Sequence, residues 1–301
     1  MLIFNRATYR YLIVMAVLAA NSTGLLHTLL NRGKSAAADE AKSGELRVMS
    51  FNIRFGTAKD GDNHWDKRRE LVAETVRRYD PDLLGTQETI RFQGEYLQQQ
   101  LPHLSYVGWS RDANEQGEQC GVMFRTDRFE LLDSGQFWLS ETPEQKFSKS
   151  WDSSLPRVAT WVRLRDQRNS KQLLFVNTHF DHRGKVARLE SAAVIRKFVE
   201  QNAADIPVIV TGDFNCGEQA EPYKQLTGSA RLRDIYRELH SEQALNEGTF
   251  NAFKGIDTGA RIDWILASDE WEVKKAAIDG FSKDGRYPSD HFPVTGTLQL
   301  K

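Results

Sequence analysis

The chain has 301 residues, 40 Lys and Arg against 41 Asp and Glu, 40% hydrophobic residues and 10% aromatics. This is the profile of a globular protein with a large core, and with no Pro/Gly/Ser-rich linker beyond residue 44 it reads as one layered α/β domain. Basic residues outnumber acidic ones in residues 1–43, so the remainder is mildly acidic, which disfavours a broad nonspecific nucleic-acid surface. Cys120 and Cys216 form no CxxC pair, which excludes a zinc ribbon, a Cys-ligated cluster and a disulfide scaffold; one bridge between them stays open.

Residues 1–43 read as a leader. Arg6 and Arg10 precede an apolar run at 11–20, a polar break at 21–24, a second apolar run at 25–30 and small residues at 35–38. The first run falls short of the roughly 20 residues that span a bilayer. A cleaved signal, a membrane anchor and an inert extension all stay open. A signal would place the protein in the cell envelope or outside the cell, whereas a biosynthetic role would place it in the cytoplasm.

From residue 44 a catalytic domain is expected to run to residue 301, alternating strands and helices. Residues 46–51 read as a strand, and 65–79 as a helix with Arg68, Leu71, Val72, Thr75, Val76 and Tyr79 at helical spacing and Asp62 or Asn63 as its cap. A buried strand at 82–86 and a helix near 92–101 follow, then strands at 121–125, 129–139, 158–164 and 173–178. A helix at 185–202 turns Leu189, Ala192, Ala193, Phe198 and Val199 inward, and strands at 208–211, 261–267, 271–276 and 291–300 complete the chain. About ten strands, only some joined through helices, predict two packed sheets covered by helices.

Several strands end in polar residues that a buried strand does not need. These are Asn52 in SFNIR, Gln87 and Glu88 in LLGTQE, Asn177 and His179 in FVNTHFDH, Asp213 and Asn215 in VIVTGDFN, Asp263 in RIDWIL, and Asp290 and His291 in YPSDHFPV. Taken singly, each has an ordinary explanation: a cap for Asn52, a surface carboxylate for Glu88, a hydrogen-bonded histidine for His179, an Asx turn for Asp213, a pair with Arg261 for Asp263. Together they supply hard oxygen donors suited to Mg²⁺, and a carboxylate–histidine pair able to act on water or on a phosphoryl oxygen.

The ordered set SFN, TQE, NTHFDH, GDFN, RIDWIL and SDHFPV resembles the endonuclease/exonuclease/phosphatase family over residues 46–300. The resemblance implies a deoxyribonuclease I-like fold, a four-layer α/β sandwich of two packed mixed sheets flanked by helices, with the site at one end. By motif, Asn52 and Glu88 would hold Mg²⁺, with Mn²⁺ or Co²⁺ as substitutes and Asp290 assisting. His179 and His291 would contact the phosphate, Asp213 would activate water, Asn215 would donate to a phosphoryl oxygen and Asp263 would orient His291. Abasic-site endonucleases carry an acid two residues after the metal-site asparagine. Arg54 stands there in this chain, which weakens a DNA-repair reading.

Arginines beside the motifs, Arg54, Arg157 and Arg183 above all, with Arg188, Arg261, Arg286 and His182 nearby, suit a compact substrate with more than one anionic group. Trp65, Trp109, Trp138, Trp151 and Trp161 are available as platforms for sugar rings. The stretches HWDKRRE, SGQFWLSETP, LPRVATW, NTHFDHRG and DGRYPSDHFPV resemble a bacterial branch of the family that includes phosphatases of glycosylated phosphoglycerates. That implies a Mg²⁺-dependent phosphomonoesterase of compatible-solute synthesis, acting on a small phosphorylated substrate. No stable nucleic-acid partner and no obligate protein partner are expected, and membrane association would run only through the leader. A Mg²⁺-dependent nuclease or other phosphodiesterase of the same family is the alternative.

Overall fold

β1 (Glu45–Asn52) leads through a short loop and a single 3₁₀ turn (Gly61–Asn63) into α1 (Trp65–Tyr79), β2 (Leu83–Thr89) and α2 (Arg91–Gln100). Four strands follow without a helix: β3 (Leu104–Val107), β4 (Gln119–Arg125), β5 (Phe129–Trp138) and β6 (Val158–Asp166). β7 (Gln172–His179), α3 (Lys185–Asn202) and β8 (Val208–Asp213) form a second crossover, followed by α4 (Glu221–Thr227), β9 (Leu232–Asp234) and α5 (Ile235–Leu239). β10 (Asp263–Ser268), β11 (Trp271–Ile278) and β12 (Val294–Leu300) close the chain. The computed structural model describes residues 44–203, 205–228 and 231–301, so the leader expectations for residues 1–43 lie outside the described residues.

The strands form two six-stranded sheets, ordered β11-β12-β1-β2-β4-β3 and β5-β6-β7-β8-β10-β9. Only β1–β2 and β7–β8 pair in parallel, each through a helical crossover; the remaining pairs are antiparallel. Leu46, Val48, Leu83 and Phe124 of the first sheet meet Val162, Phe175, Ile209 and Ile265 of the second in the central core. Met49 and Phe51 turn outward onto Trp65, Val72 and Val76 of α1 and Leu97 of α2. Val176 and Val210 do the same onto Ala192, Ile195 and Val199 of α3. Two sheets between two helical layers make the four-layer sandwich.

Twelve strands are present among the described residues, against about ten expected. The additions, β3 and β9, and the helices α4 and α5 are too short to show a period in sequence. His64, not Asp62 or Asn63, caps α1: its Nδ1 accepts the Asp66 N–H while the two expected caps sit in the preceding 3₁₀ turn. In α3 Ala192 and Val199 are buried as expected, but Ile195 and Ser191 complete the face and Leu189 and Ala193 are only half-buried. Both cysteines are buried and free.

Along the faces that the sheets turn to each other, the side chains change character from one end to the other. Leu46 and Val48 give way to Ser50 and Asn52; Leu173 and Phe175 to Asn177 and His179; Ile209 to Thr211 and Asp213; Ala267 and Ile265 to Asp263. Strand alternation keeps each series on one face. At mid-height the buried Asn177 joins the sheets: its Nδ2 donates to the carbonyls of Thr86 and Gly121, both at 2.8 Å, and its Oδ1 accepts from Gln87 at 2.6 Å and Thr211 at 3.1 Å. Gly85 lies against this knot, where a Cβ would run into Thr211 Oγ1 and Asn177 Oδ1. Gly85→Ala is therefore expected to destabilise the fold by about 1–3 kcal/mol through overpacking, read as a lower denaturant midpoint with an unchanged slope. An unaltered midpoint would show that the sheets can part at no cost.

Candidate active site

Strand register places three residues of the centre together. His179 on β7 lies beside Asp213 on the parallel strand β8, and Asp263 on β10 lies opposite the same residue on the other side. From the facing sheet, Asn52 at the end of β1 reaches across and donates its Nδ2 to Asp213 Oδ2 at 2.9 Å. His291 arrives from the loop before β12, with Nδ1 at 2.9 Å from Asp263 Oδ2 and Nε2 at 3.8 Å from Asp213 Oδ2. His179 Nε2 stands 3.5 Å from the same Asp213 oxygen. Asp213 thus has both histidines, Asn52 and, through its Oδ1, the Asn215 N–H at 2.9 Å around it.

Asn215 spends one side-chain N–H on the Phe180 carbonyl at 3.0 Å and keeps its second, and the residue is half-buried. Glu88 follows β2's inward-facing Gln87. Its Oε1 accepts from Asn52 at 3.2 Å and its Oε2 from the Phe55 N–H at 3.1 Å. Arg54 forks onto Asp60 with two 3.0 Å bonds and places its guanidinium 3.9 Å from Glu88 and 3.7 Å from Asp290. Arg54, Glu88 and Asn215 all hold positive φ, at 57°, 57° and 50°. Such a conformation costs energy in residues with side chains, and three of them converge at this centre.

Arg157 is buried beside His179, bonded to Asp181 and to His182 Nδ1 at 3.0 Å, and its Nη1 has no partner among the described residues. Arg183 is exposed, and among the described residues its one hydrogen bond is from its backbone N–H to Asp181, so its side chain is not tied into the cleft. Arg261 does not pair with Asp263: it is bound by Glu218 and Asp234. Arg188 holds the Asp181 carbonyl, and Arg286 lies outside on the Asp62 carbonyl.

Four contributors escaped the sequence reading. Glu118, gripped bidentately by Arg111 at 2.9 and 3.0 Å, stands 3.7 Å from His179 Nδ1. Asp181, within the NTHFDH motif itself, accepts from Ser154, Arg183 and Gly184 and so fixes the two loops that carry Arg157 and His182. Arg68, buried on α1, donates to the carbonyls of Ile53, Arg54 and Pro288 and ties the Asn52 loop to the Asp290 loop. Burial pulls that guanidinium down to about 10.

The charges divide sharply. Burial, then the neighbouring Asp263, push Asp213 up to about 7 against the pull of His291. Burial lowers His291, but Asp263 and Asp213 outweigh it and carry the imidazole up to about 10. Burial and the cations of Arg157 and Arg111 hold His179 well below the ordinary histidine value. Neutral pH therefore finds His291 charged and His179 neutral, with Asp213 near its titration point. Burial also raises Asp290 and Glu118, the latter opposed by Arg111.

Oxygen or nitrogen atoms of Asp213, Asp263 and His291 lie within 4.8 Å of one another and could hold a cation. A protonated His291, however, offers no lone pair. Asn52, Glu88 and Asp290 offer the amide and carboxylate oxygens that a hard cation would take, and the Arg54 guanidinium lies within 4 Å of both carboxylates.

With Asp263 as its main partner, His291 is expected to stay protonated across neutral pH in an NMR titration and to titrate near the ordinary value in Asp263→Asn. Because the folded value lies above the ordinary 6.5, this imidazolium stabilises the fold fully below about 6.5 and ceases to do so as pH rises through about 10. An unmoved His291 titration in the variant would remove Asp263 as the cause.

A cleft that pairs a raised carboxylate with a charged histidine and a hard-oxygen donor set has the make-up of a hydrolase site for phosphate esters. The family model of the endonuclease/exonuclease/phosphatase family matches residues 49–291, and the chain belongs to that family of hydrolases. An endonuclease/exonuclease/phosphatase family protein of Bacteroides thetaiotaomicron is 35% identical, with a TM-score of 0.79 over 85% of this chain and 98% of that one. A mannosyl-6-phosphatase of the same species is also 35% identical, with a TM-score of 0.77 over 85% of this chain and 100% of its own. Among curated proteins the nocturnin of Xenopus laevis is 26% identical over 83% of this chain and 71% of its own length, and that of Homo sapiens 26% identical over 83% and 64%.

Proposed function

We propose that the protein is a divalent-metal-dependent phosphomonoesterase acting on a small glycosylated phosphate ester. The first candidate is mannosylglucosyl-3-phosphoglycerate, hydrolysed to mannosylglucosylglycerate and phosphate. The observation that carries the reading is Asp213, raised to about 7 by burial, in one cleft with a His291 held charged by Asp263. Asp213 takes the proton of the attacking water; His291 and the free N–H of Asn215 donate to phosphoryl oxygens, and Asp263 keeps His291 charged and oriented. His179, with Arg157 beside it, holds the opposite side of the phosphoryl group, and the unpartnered Nη1 of Arg157 has a donor to spare for an anion. Asn52, Glu88 and Asp290 are the residues that would hold Mg²⁺ or a similar ion, which supplies charge neutralisation at the phosphoryl oxygens. Arg54, 3.9 Å from Glu88 and 3.7 Å from Asp290, adds a fixed positive charge beside that set.

A monoester is favoured over a nucleic-acid strand by the mildly acidic balance of the chain from residue 44 onward and by similarity to a protein described as a mannosyl-6-phosphatase. Phosphate release from glycosylated phosphoglycerates, sugar phosphates and nucleotides, run beside plasmid nicking with Mg²⁺ and with chelator, tests the reading. Selective release from the glycosylated esters is the expected result, and nicking without monoester turnover would move the function to the phosphodiesterase side. Glu88→Gln is expected to raise the Mg²⁺ concentration for half-maximal turnover several-fold, and an unchanged metal titration would take Glu88 out of the donor set.

A further inference from the structure

A groove of about 570 Å³ runs beside the catalytic cleft, where the edge strands β3 and β5 and the adjoining β4 leave the two sheets open. Trp109 and Phe147 stand on it, 45% and 40% exposed, and Trp109 is the one exposed tryptophan of the chain's seven. Of the other platforms that the sequence offered, Trp65 and Trp138 are buried in packing and Trp151 and Trp161 are half-buried. Between the aromatic faces the lining is polar and of mixed charge, with Glu95, Asp112 and Glu115 beside Arg91 and Lys146, and Glu95 is paired with Arg91 at 2.9 Å.

The groove and the cleft share a wall. Along the loop into β4, Ser110 and Asp112 face the groove while Arg111 and Glu118 face His179, and Gln119 lines both sides. The Arg111 carbonyl is fixed by Trp138 Nε1 at 3.1 Å, and Trp138 itself packs edge-on against Phe147. The groove thus adjoins the pocket beside His179 through Gln119, the residue common to both linings.

We infer that this groove seats the sugar rings of the substrate's leaving group, with Trp109 and Phe147 as stacking faces and the carboxylates as acceptors for ring hydroxyls. Apolar faces beside a few convergent polar groups are what a neutral polyol needs. The size of the groove falls within the range that holds a ligand of a few rings. The inference rests on the phosphomonoesterase reading for the chemistry in the cleft, but binding in the groove does not require turnover.

Two measurements on the full chain test it. In saturation-transfer NMR, the unphosphorylated disaccharide mannobiose is expected to give ring-proton signals with the wild type, and Trp109→Ala and Phe147→Ala to weaken its binding at least about tenfold; adenosine is the comparison ligand. In kinetics, Trp109→Ala is expected to raise KM for the glycosylated phosphoglycerate about tenfold with kcat kept, to leave phenyl phosphate unchanged, and to be partly rescued by Trp109→Phe. Silence from the disaccharide, preference for adenosine, or equal losses on both esters would overturn the assignment. If no glycosylated ester is turned over yet the disaccharide binds through Trp109, the function proposed above fails and the groove stands.

Discussion

A carboxylate that is 1% exposed sits where two sheets meet, and the architecture around Asp213 is arranged to keep it there. An unpaired buried charge is costly, and this one is met by Asn52 from the opposite sheet, by the Asn215 N–H from its own turn and by the charge of His291. Each partner comes from a different element, so the site forms only when both sheets have packed in register. The same burial that costs stability sets Asp213 near neutrality, where a carboxylate is basic enough to take a proton from water.

What holds the register is the polar seam below the site. Asn177 bonds across the sheets at mid-height, and Gly85 lets them approach closely enough for it to do so. Above the seam, buried ionic groups act as loop clamps. Arg68 ties together the loops carrying Arg54 and Asp290, and Asp181 does so for the loops carrying Arg157 and His182. Satisfied buried groups of this kind specify one arrangement, which a centre built from loop ends requires.

The strand ends were legible in the sequence because a period of two carries a residue's face along with its type. Asn52, His179, Asp213 and Asp263 follow apolar residues on the same face, so their polarity at the end of each series reads as convergence. Arg111 and Glu118 could not be read that way. They lie in the loop between β3 and β4, where no period applies, and their meeting with His179 is made by tertiary packing. The arginines separate on the same ground: Arg54 and Arg157 flank motif residues in space as well as in sequence, whereas Arg261, two residues from Asp263, turns to Asp234 and Glu218. Arg261 precedes β10, so strand alternation does not fix its side chain beside Asp263, and geometry gives it Asp234 and Glu218 instead.

The account turns on Asp213 being a buried base, and its protonation can be weighed without substrate. In chelator-treated protein, the unfolding free energies of the wild type and Asp213→Asn are compared from about pH 4 to about pH 8. With a folded value of about 7 against the ordinary 3.8, the folded wild type keeps a proton that the unfolded chain releases, so its stability falls as pH rises through that window. The variant lacks this loss. The stability gap is predicted to move steadily in the variant's favour with rising pH while its turnover drops at least about a hundredfold. A gap that stays flat across the window, or a variant that keeps its turnover, would contradict the account.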